Sequence, residues 1–232
     1  MASTRLLRPI VLFDLDGTLT DSAPGVMTSF LHALSSIGHT PPAGMEVLDV
    51  VGPPMIDTLT GLGLDRAEID AAVAAYHERY DQVGWSESEL FDGIAELLDD
   101  LDAAGARIGL STSKAEKYAV RMLEHFGLDK HFEFIGGASA DGSRRRKADV
   151  IRHTLGHLGV NAGSSGLGDQ IVMIGDRVHD IAGANTFGIP TAAVTWGYGP
   201  ATEHTEAQWT VDTATRLRDL LLPAHKEDTA CM

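Results

Sequence analysis

The run Pro9-Ile10-Val11-Leu12-Phe13-Asp14-Leu15-Asp16-Gly17-Thr18-Leu19-Thr20 decides how this chain is read. Its first five residues are apolar and do not alternate with polar ones, so they predict a short strand buried on both faces, over residues 9–13. The apolar run stops at two carboxylates. Side chains alternate along extended backbone, so Asp14 and Asp16 point the same way. Two carboxylates facing one site repel each other unless a cation lies between them. Gly17 permits the turn that follows. The plainer alternative is a strand that ends in a polar turn and caps the next helix.

Outward from this run, three more buried strands are predicted over residues 107–110, 171–174 and 191–194. Between them lie helical patterns. Ile94, Leu97, Leu98 and Leu101 share one face, as do Tyr118, Met122 and Phe126, and a further helix is expected over residues 148–158. Strands alternating with helices predict an α/β fold, a doubly wound parallel sheet of Rossmann-like type. Residues 23–88 break that rhythm. They read as helices alone, over 25–37, 55–62 and 67–83, separated by turn signals at Pro41-Pro42 and Gly52-Pro53-Pro54. The expected organisation is an α/β core from residues 1–20 and 90–232 with a helical cap, 21–89, inserted into it. Hinges are expected at 20–24 and 90–93. Residues 161–166 read as a flexible surface loop.

Composition narrows the function. The chain has 232 residues, 44% of them hydrophobic, enough for a substantial core. There are 18 Lys and Arg against 33 Asp and Glu, a formal charge of -15, which argues against a nucleic-acid partner. There is one cysteine, Cys231, so no internal disulfide forms and a cytoplasmic location is expected. No apolar run reaches the length of a membrane span, and the N-terminal segment does not read as a signal peptide.

Three further clusters fall at or just after strand ends or at a helix start, and open α/β sheets bind ligands at the carboxyl ends of their strands. Ser111-Thr112-Ser113-Lys114 follows a strand and precedes a helix, so its hydroxyls and free amides suit either an anion or a helix cap. Lys147 opens a helix after Arg144, Arg145 and Arg146, a basic run that reads as surface charge or as an attractor for an acidic substrate. Asp176 and Asp180 follow the 171–174 strand and are four apart at a helix start, which puts them on one face. A second acidic cluster is what a hard cation such as Mg²⁺ requires.

Taken in order, FDLDGTLTDS, STSK, Lys147 and IGDRVHDIAGA resemble the haloacid dehalogenase superfamily, in its phosphoglycolate-phosphatase-like branch with a helical cap. The resemblance implies a phosphatase in which Asp14 attacks phosphorus and becomes an aspartyl phosphate. It implies that Asp16 protonates the leaving oxygen and later deprotonates water, and that Thr112 and Lys147 stabilise the phosphoryl group. Gly17, Thr18, Ser113 and Lys114 would bind substrate. Mg²⁺ would be held by Asp14, the backbone carbonyl of Asp16, and Asp176, with Asp180 in support. An acid at position 16 favours phosphate esters over halides. The implied substrate is a small phosphorylated metabolite. His32, Met55 and Arg79 are cap candidates for reading the leaving group. Trp196-Gly197-Tyr198-Gly199 either borders the site or buries its aromatics.

The segments DLDGTLTDS, VGPPM, TSKAE and DGSR are also similar to a member of the superfamily described as a protein-tyrosine kinase. That implies a second possibility, transfer of phosphate from ATP to a protein substrate. The chain has no GxxxxGK[ST] loop and no protein-kinase signature set.

Overall fold

The computed structural model describes residues 10–51 and 55–222. The expected turn at Gly52-Pro53-Pro54, the strand position of Pro9, and Cys231 lie outside the described residues. In chain order the elements are β1 (Ile10–Phe13), β2 (Thr20–Asp21), α1 (Ala23–Ser36), α2 (Met55–Gly61), α3 (Arg66–Gln82), β3 (Glu89–Leu90), α4 (Ile94–Ala103), β4 (Arg107–Ala115) and α5 (Glu116–His125). There follow β5 (Phe134–Ala138), α6 (Lys147–His157), β6 (Ile171–Gly175), α7 (Val178–Asn185), β7 (Thr191–Val194), β8 (Trp209–Val211) and α8 (Ala214–Leu221).

Six strands form one parallel sheet in the order β5-β4-β1-β6-β7-β8. Strand β1 is central, and its lack of alternation has a direct cause. Val11 and Phe13 enter one core with Ile94, Leu98, Ala119 and Leu217. Ile10 and Leu12 enter another, on the opposite face, with Ile151, Leu155 and Ala184. All four are 6% exposed or less, and at roughly 1.5–3 kcal/mol per buried large apolar side chain this strand anchors both layers.

Helices α1 to α3 pack around a third core, formed by Phe30, Leu34, Leu59, Ile69, Ala72, Tyr76 and Tyr80, which Tyr118 of α5 joins from below. Strands β2 and β3 pair antiparallel, Thr20 with Leu90 and Asp21 with Glu89, where the chain leaves the sheet and comes back. The fold is therefore a doubly wound parallel sheet with an inserted helical cap.

Some elements differ from expectation. Strand β4 runs on through Ala115, so Ser111 to Lys114 lie in extended backbone and the N-cap of α5 is Ala115, without a side-chain cap bond. Helix α6 begins at Lys147 itself. Strands β5 and β8, the β2–β3 pair and helix α8 were not expected. Among the described residues no helix is long and apolar enough to cross a membrane.

Candidate active site

The carboxyl ends of β1, β4 and β6 meet under the cap. Asp14 extends β1, and its N–H donates to the Ile174 carbonyl at 2.9 Å, which fixes its start beside β6. Asp176 follows the last residue of β6, and Asp180 lies in the first turn of α7. The two do not share a helical face, since α7 starts only at Val178 with Arg177 as N-cap. The loop turns Asp176 in instead. Each of Asp14, Asp176 and Asp180 offers an oxygen within 4.8 Å of the others.

One ammonium faces this group. Lys147 Nζ lies 2.7 Å from Asp14 Oδ1 and 2.7 Å from Asp180 Oδ1, and it donates to the Ser111 carbonyl at 2.9 Å. Asp14 Oδ1 and Asp180 Oδ1 are buried and have no aligned hydrogen-bond donor despite that ion pairing. Burial works to lower the Lys147 pKa, but Asp14 and Asp180 outweigh it and hold the ammonium charged. Burial pushes Asp14 up to about 6, against the pull of Lys147. Burial, then the charges of Asp180 and Asp14, push Asp176 up to about 8. Three buried acids against one lysine leave negative charge without a partner. The donors are all oxygen, as a hard divalent cation such as Mg²⁺ prefers.

Glycines make these approaches possible. Gly17 has φ +81°, and a Cβ there would stand 2.4 Å from Asp176 Oδ2. A Cβ on Gly175 would stand 2.3 Å from the Asp180 carboxyl carbon. Asp176 also accepts from the Tyr198 N–H at 2.7 Å and the Gly199 N–H at 3.3 Å, and its carbonyl is held by His204 Nε2 at 2.7 Å.

Asp16 has a different setting. Its carboxylate pairs with Lys114 Nζ at 3.0 Å and accepts from the Ser22 hydroxyl at 2.5 Å. It is not one of the three clustered acids, so its side chain remains free of them. Instead of sharing one cation, Asp14 and Asp16 each have a lysine of their own, Lys147 and Lys114. Lys114 in turn sits 4.9 Å from the centre of the Tyr80 ring, a cation–π contact with α3 of the cap.

A cavity of about 170 Å³ lies between core and cap. Asp14, Asp16, Thr112, Ser113, Lys114, Lys147 and Asp180 line it from the core, and Val26, Val51, Met55, Tyr76, His77 and Tyr80 from the cap. The structure thus brings most of the expected site residues to one cavity. Gly17 and Thr18 pack instead behind Asp176, with the Thr18 hydroxyl 3.5 Å from Asp176 Oδ1.

Of the three cap candidates only Met55 reaches the cavity. Arg79 is engaged with Glu87 at 2.8 Å and Ser29 at 2.9 Å, tying α3 to α1, and His32 is exposed. The basic run is also largely engaged. Arg144 pairs with Glu116 at 2.6 Å, and Arg145 reaches Asp57 of α2 at 2.8 Å, bridging core to cap.

One contributor was missed in the sequence, and one of two readings left open for another is settled. Arg177 is buried, pairs with Glu203 at 2.9 Å and donates to the Val51 carbonyl of the cap at 2.6 Å. Tyr198 enters the cavity wall.

Residues 11–194 match the family model described as haloacid dehalogenase-like hydrolase. The chain is 50% identical over 192 residues to the tyrosine-protein kinase PtkA of Mycobacterium tuberculosis, covering 83% of this chain and 64% of that one. This chain therefore spans less than two thirds of that relative's length. It is 37% identical over 204 residues to a 5'-nucleotidase of Pseudomonas aeruginosa, covering 88% of this chain and 90% of the other. The crystal structure of a phosphatase from Clostridium acetobutylicum, so described by prediction, superposes with a TM-score of 0.82 at 32% identity, covering 93% and 98% of the two chains.

Proposed function

The chain belongs to the haloacid dehalogenase-like hydrolases, and on that footing we propose that it is a Mg²⁺-dependent phosphatase of a small phosphate monoester, working through an aspartyl phosphate on Asp14. The observation that carries this reading is the juxtaposition at the end of the central strand. Asp14, paired with Lys147, and Asp16, held apart by Lys114, face one cavity between core and cap.

In the first step an Asp14 oxygen forms a bond to phosphorus as the ester P–O bond breaks. Asp16 gives its proton to the leaving oxygen. In the second step Asp16 takes a proton from water, the water oxygen bonds to phosphorus, and Asp14 is released with inorganic phosphate. Lys147 keeps Asp14 anionic before the first step and offsets phosphoryl charge after it. The Thr112 hydroxyl binds a phosphoryl oxygen. Asp14, the Asp16 carbonyl and Asp176, with Asp180 in support, would hold Mg²⁺, which would supply further neutralisation of charge on the phosphoryl group. The cap excludes water while the ester is cleaved.

The cavity favours a small substrate, since about 170 Å³ is well below the roughly 300–1,000 Å³ that larger ligands occupy. The 5'-nucleotidase and phosphatase relatives support hydrolysis. A second reading, transfer of phosphate from ATP to tyrosine on a protein, has the 50% identity to the mycobacterial kinase behind it.

The experiment is phosphate release from a panel of monoesters with Mg²⁺, comparing wild type with Asp14→Asn. We expect turnover of at least one small ester, lost by about a thousandfold or more in the variant and abolished by a chelator. Folded protein that releases no phosphate from any ester, yet labels tyrosine on a protein from ATP, would replace the first reading with the second.

A further inference from the structure

Tyr198 touches both halves of the molecule. Its backbone N–H donates to Asp176 Oδ2 at 2.7 Å. Its hydroxyl donates to Asp21 Oδ1 at 2.7 Å and accepts from the backbone N–H groups of Ser22 at 2.8 Å and Ala23 at 2.9 Å. These residues are where the chain leaves the core for the cap. Ser22, the N-cap of α1, makes no side-chain cap bond of its own, so the hydroxyl of a residue far along the chain satisfies amides at that helix start.

The tyrosine is held in place from both sides. A Cβ on Gly197 would lie 2.2 Å from the Gly17 carbonyl oxygen, and one on Gly199 would lie 1.8 Å from the Asp176 carbonyl oxygen. Beside it, the Trp196 indole N–H donates to the Thr18 carbonyl at 3.0 Å. The loop is thus pressed onto the turn that carries Asp16. Ser22, whose amide Tyr198 holds, donates its hydroxyl to Asp16 Oδ1 at 2.5 Å. Hydrogen bonds joined by the covalent frames of Tyr198 and Ser22 thus link Asp176 to Asp16.

We propose that Tyr198 is a positioning residue that pins the outgoing hinge of the cap and, through Ser22, sets Asp16 for proton transfer. It acts on the acid and not on the phosphoryl group, and the inference rests on the reading of Asp16 as proton donor. Loss of the pin then slows the first step on each ester in proportion to how strongly its leaving oxygen needs a proton. An alkoxide needs one, whereas a nitrophenolate departs without it.

The test is Tyr198→Phe, which keeps the ring and the backbone bond to Asp176, assayed on an alkyl phosphate and on p-nitrophenyl phosphate, with amide hydrogen exchange followed at Ser22 and Ala23. We expect kcat/KM, which reports the first step alone, to fall about tenfold or more on the alkyl ester and to change by less than about twofold on the aryl ester. Exchange at the two amides should quicken by about tenfold or more. Asp21→Ala removes the acceptor of the same hydroxyl and should shift the ester ratio in the same direction, so the inference remains testable if Tyr198→Phe does not fold. An equal loss of kcat/KM on both esters, or unchanged exchange at both amides, overturns the assignment. Wild-type protein that releases phosphate from no ester of the panel, these two included, overturns the phosphatase reading and the role through Asp16 with it. Wild-type turnover with an unaltered ester ratio in the variants overturns the role alone.

Discussion

A Cβ on Gly17 would stand 2.4 Å from Asp176 Oδ2, in backbone at φ +81°. Gly17→Ala therefore meets a left-handed conformation and a carboxylate at once. We expect it to cost about 2 kcal/mol or more, seen as a lower Tm, and to weaken the Mg²⁺ dependence of that Tm. Asp176 itself sets a pH dependence. Its pKa rises from an ordinary 3.8 to about 8 on folding, so the folded state binds a proton that the unfolded state releases. That contribution to stability is complete below about pH 4 and is lost as pH rises through about 8. Asp14, raised to about 6, acts in the same direction. Chelator-treated protein should thus lose Tm between about pH 5 and pH 8 from these groups, and added Mg²⁺ should raise Tm more at the upper end. A Mg²⁺ effect that is flat with pH would mean that these carboxylates do not hold the ion. Asp14 and Asp16 were legible because carboxylates just past a buried strand can be read from a string of letters, whereas Lys147 opens a helix after three arginines and was placed at the site only by the family resemblance. The hold on Asp176 was not legible, because it comes from backbone N–H groups of Tyr198 and Gly199, which every residue type carries.

Among the elements, α3 shows how local chemistry fixes the cap. Asp65 accepts from the Glu68 N–H at 2.9 Å while Glu68 returns a bond to the Asp65 N–H at 2.8 Å, a reciprocal capping box. Asp65→Ala should cost about 1 kcal/mol, measured by chemical denaturation, with little change in the core-borne chemistry. The central strands were readable for a related reason: each is short, apolar and buried on both sides. Strand β5 was not, because Gly136 and Gly137 interrupt its apolar run. They are there because a Cβ at Gly136 would lie 2.3 Å from the Thr154 hydroxyl and one at Gly137 would lie 2.6 Å from Glu116 Cα. Ser111 to Lys114 resembled a helix start since hydroxyls favour N-caps. Tertiary pairing decided otherwise, with Ser111 beside Gly136 and Ala115 beside Ala138 in the sheet.

For the molecule as a whole, a formal charge of -15 means self-repulsion on top of the buried acids. Raising NaCl from about 0.05 to 0.5 M shortens the screening length severalfold and should raise Tm by about 2–5 °C. A fall in Tm would show that cross-element ion pairs such as Arg145–Asp57 and Arg177–Glu203 outweigh the repulsion. The two-residue pairing of β2 with β3 has a consequence of another kind. It places the outgoing and returning backbones side by side, about 4.8 Å apart, while the helices between them have a separate apolar interior. A splice at that point disturbs no strand of the main sheet. The helices between can lengthen or shrink without displacing a strand of the main sheet, so over generations the part of the cavity wall they supply is free to drift faster than the part borne by the strands.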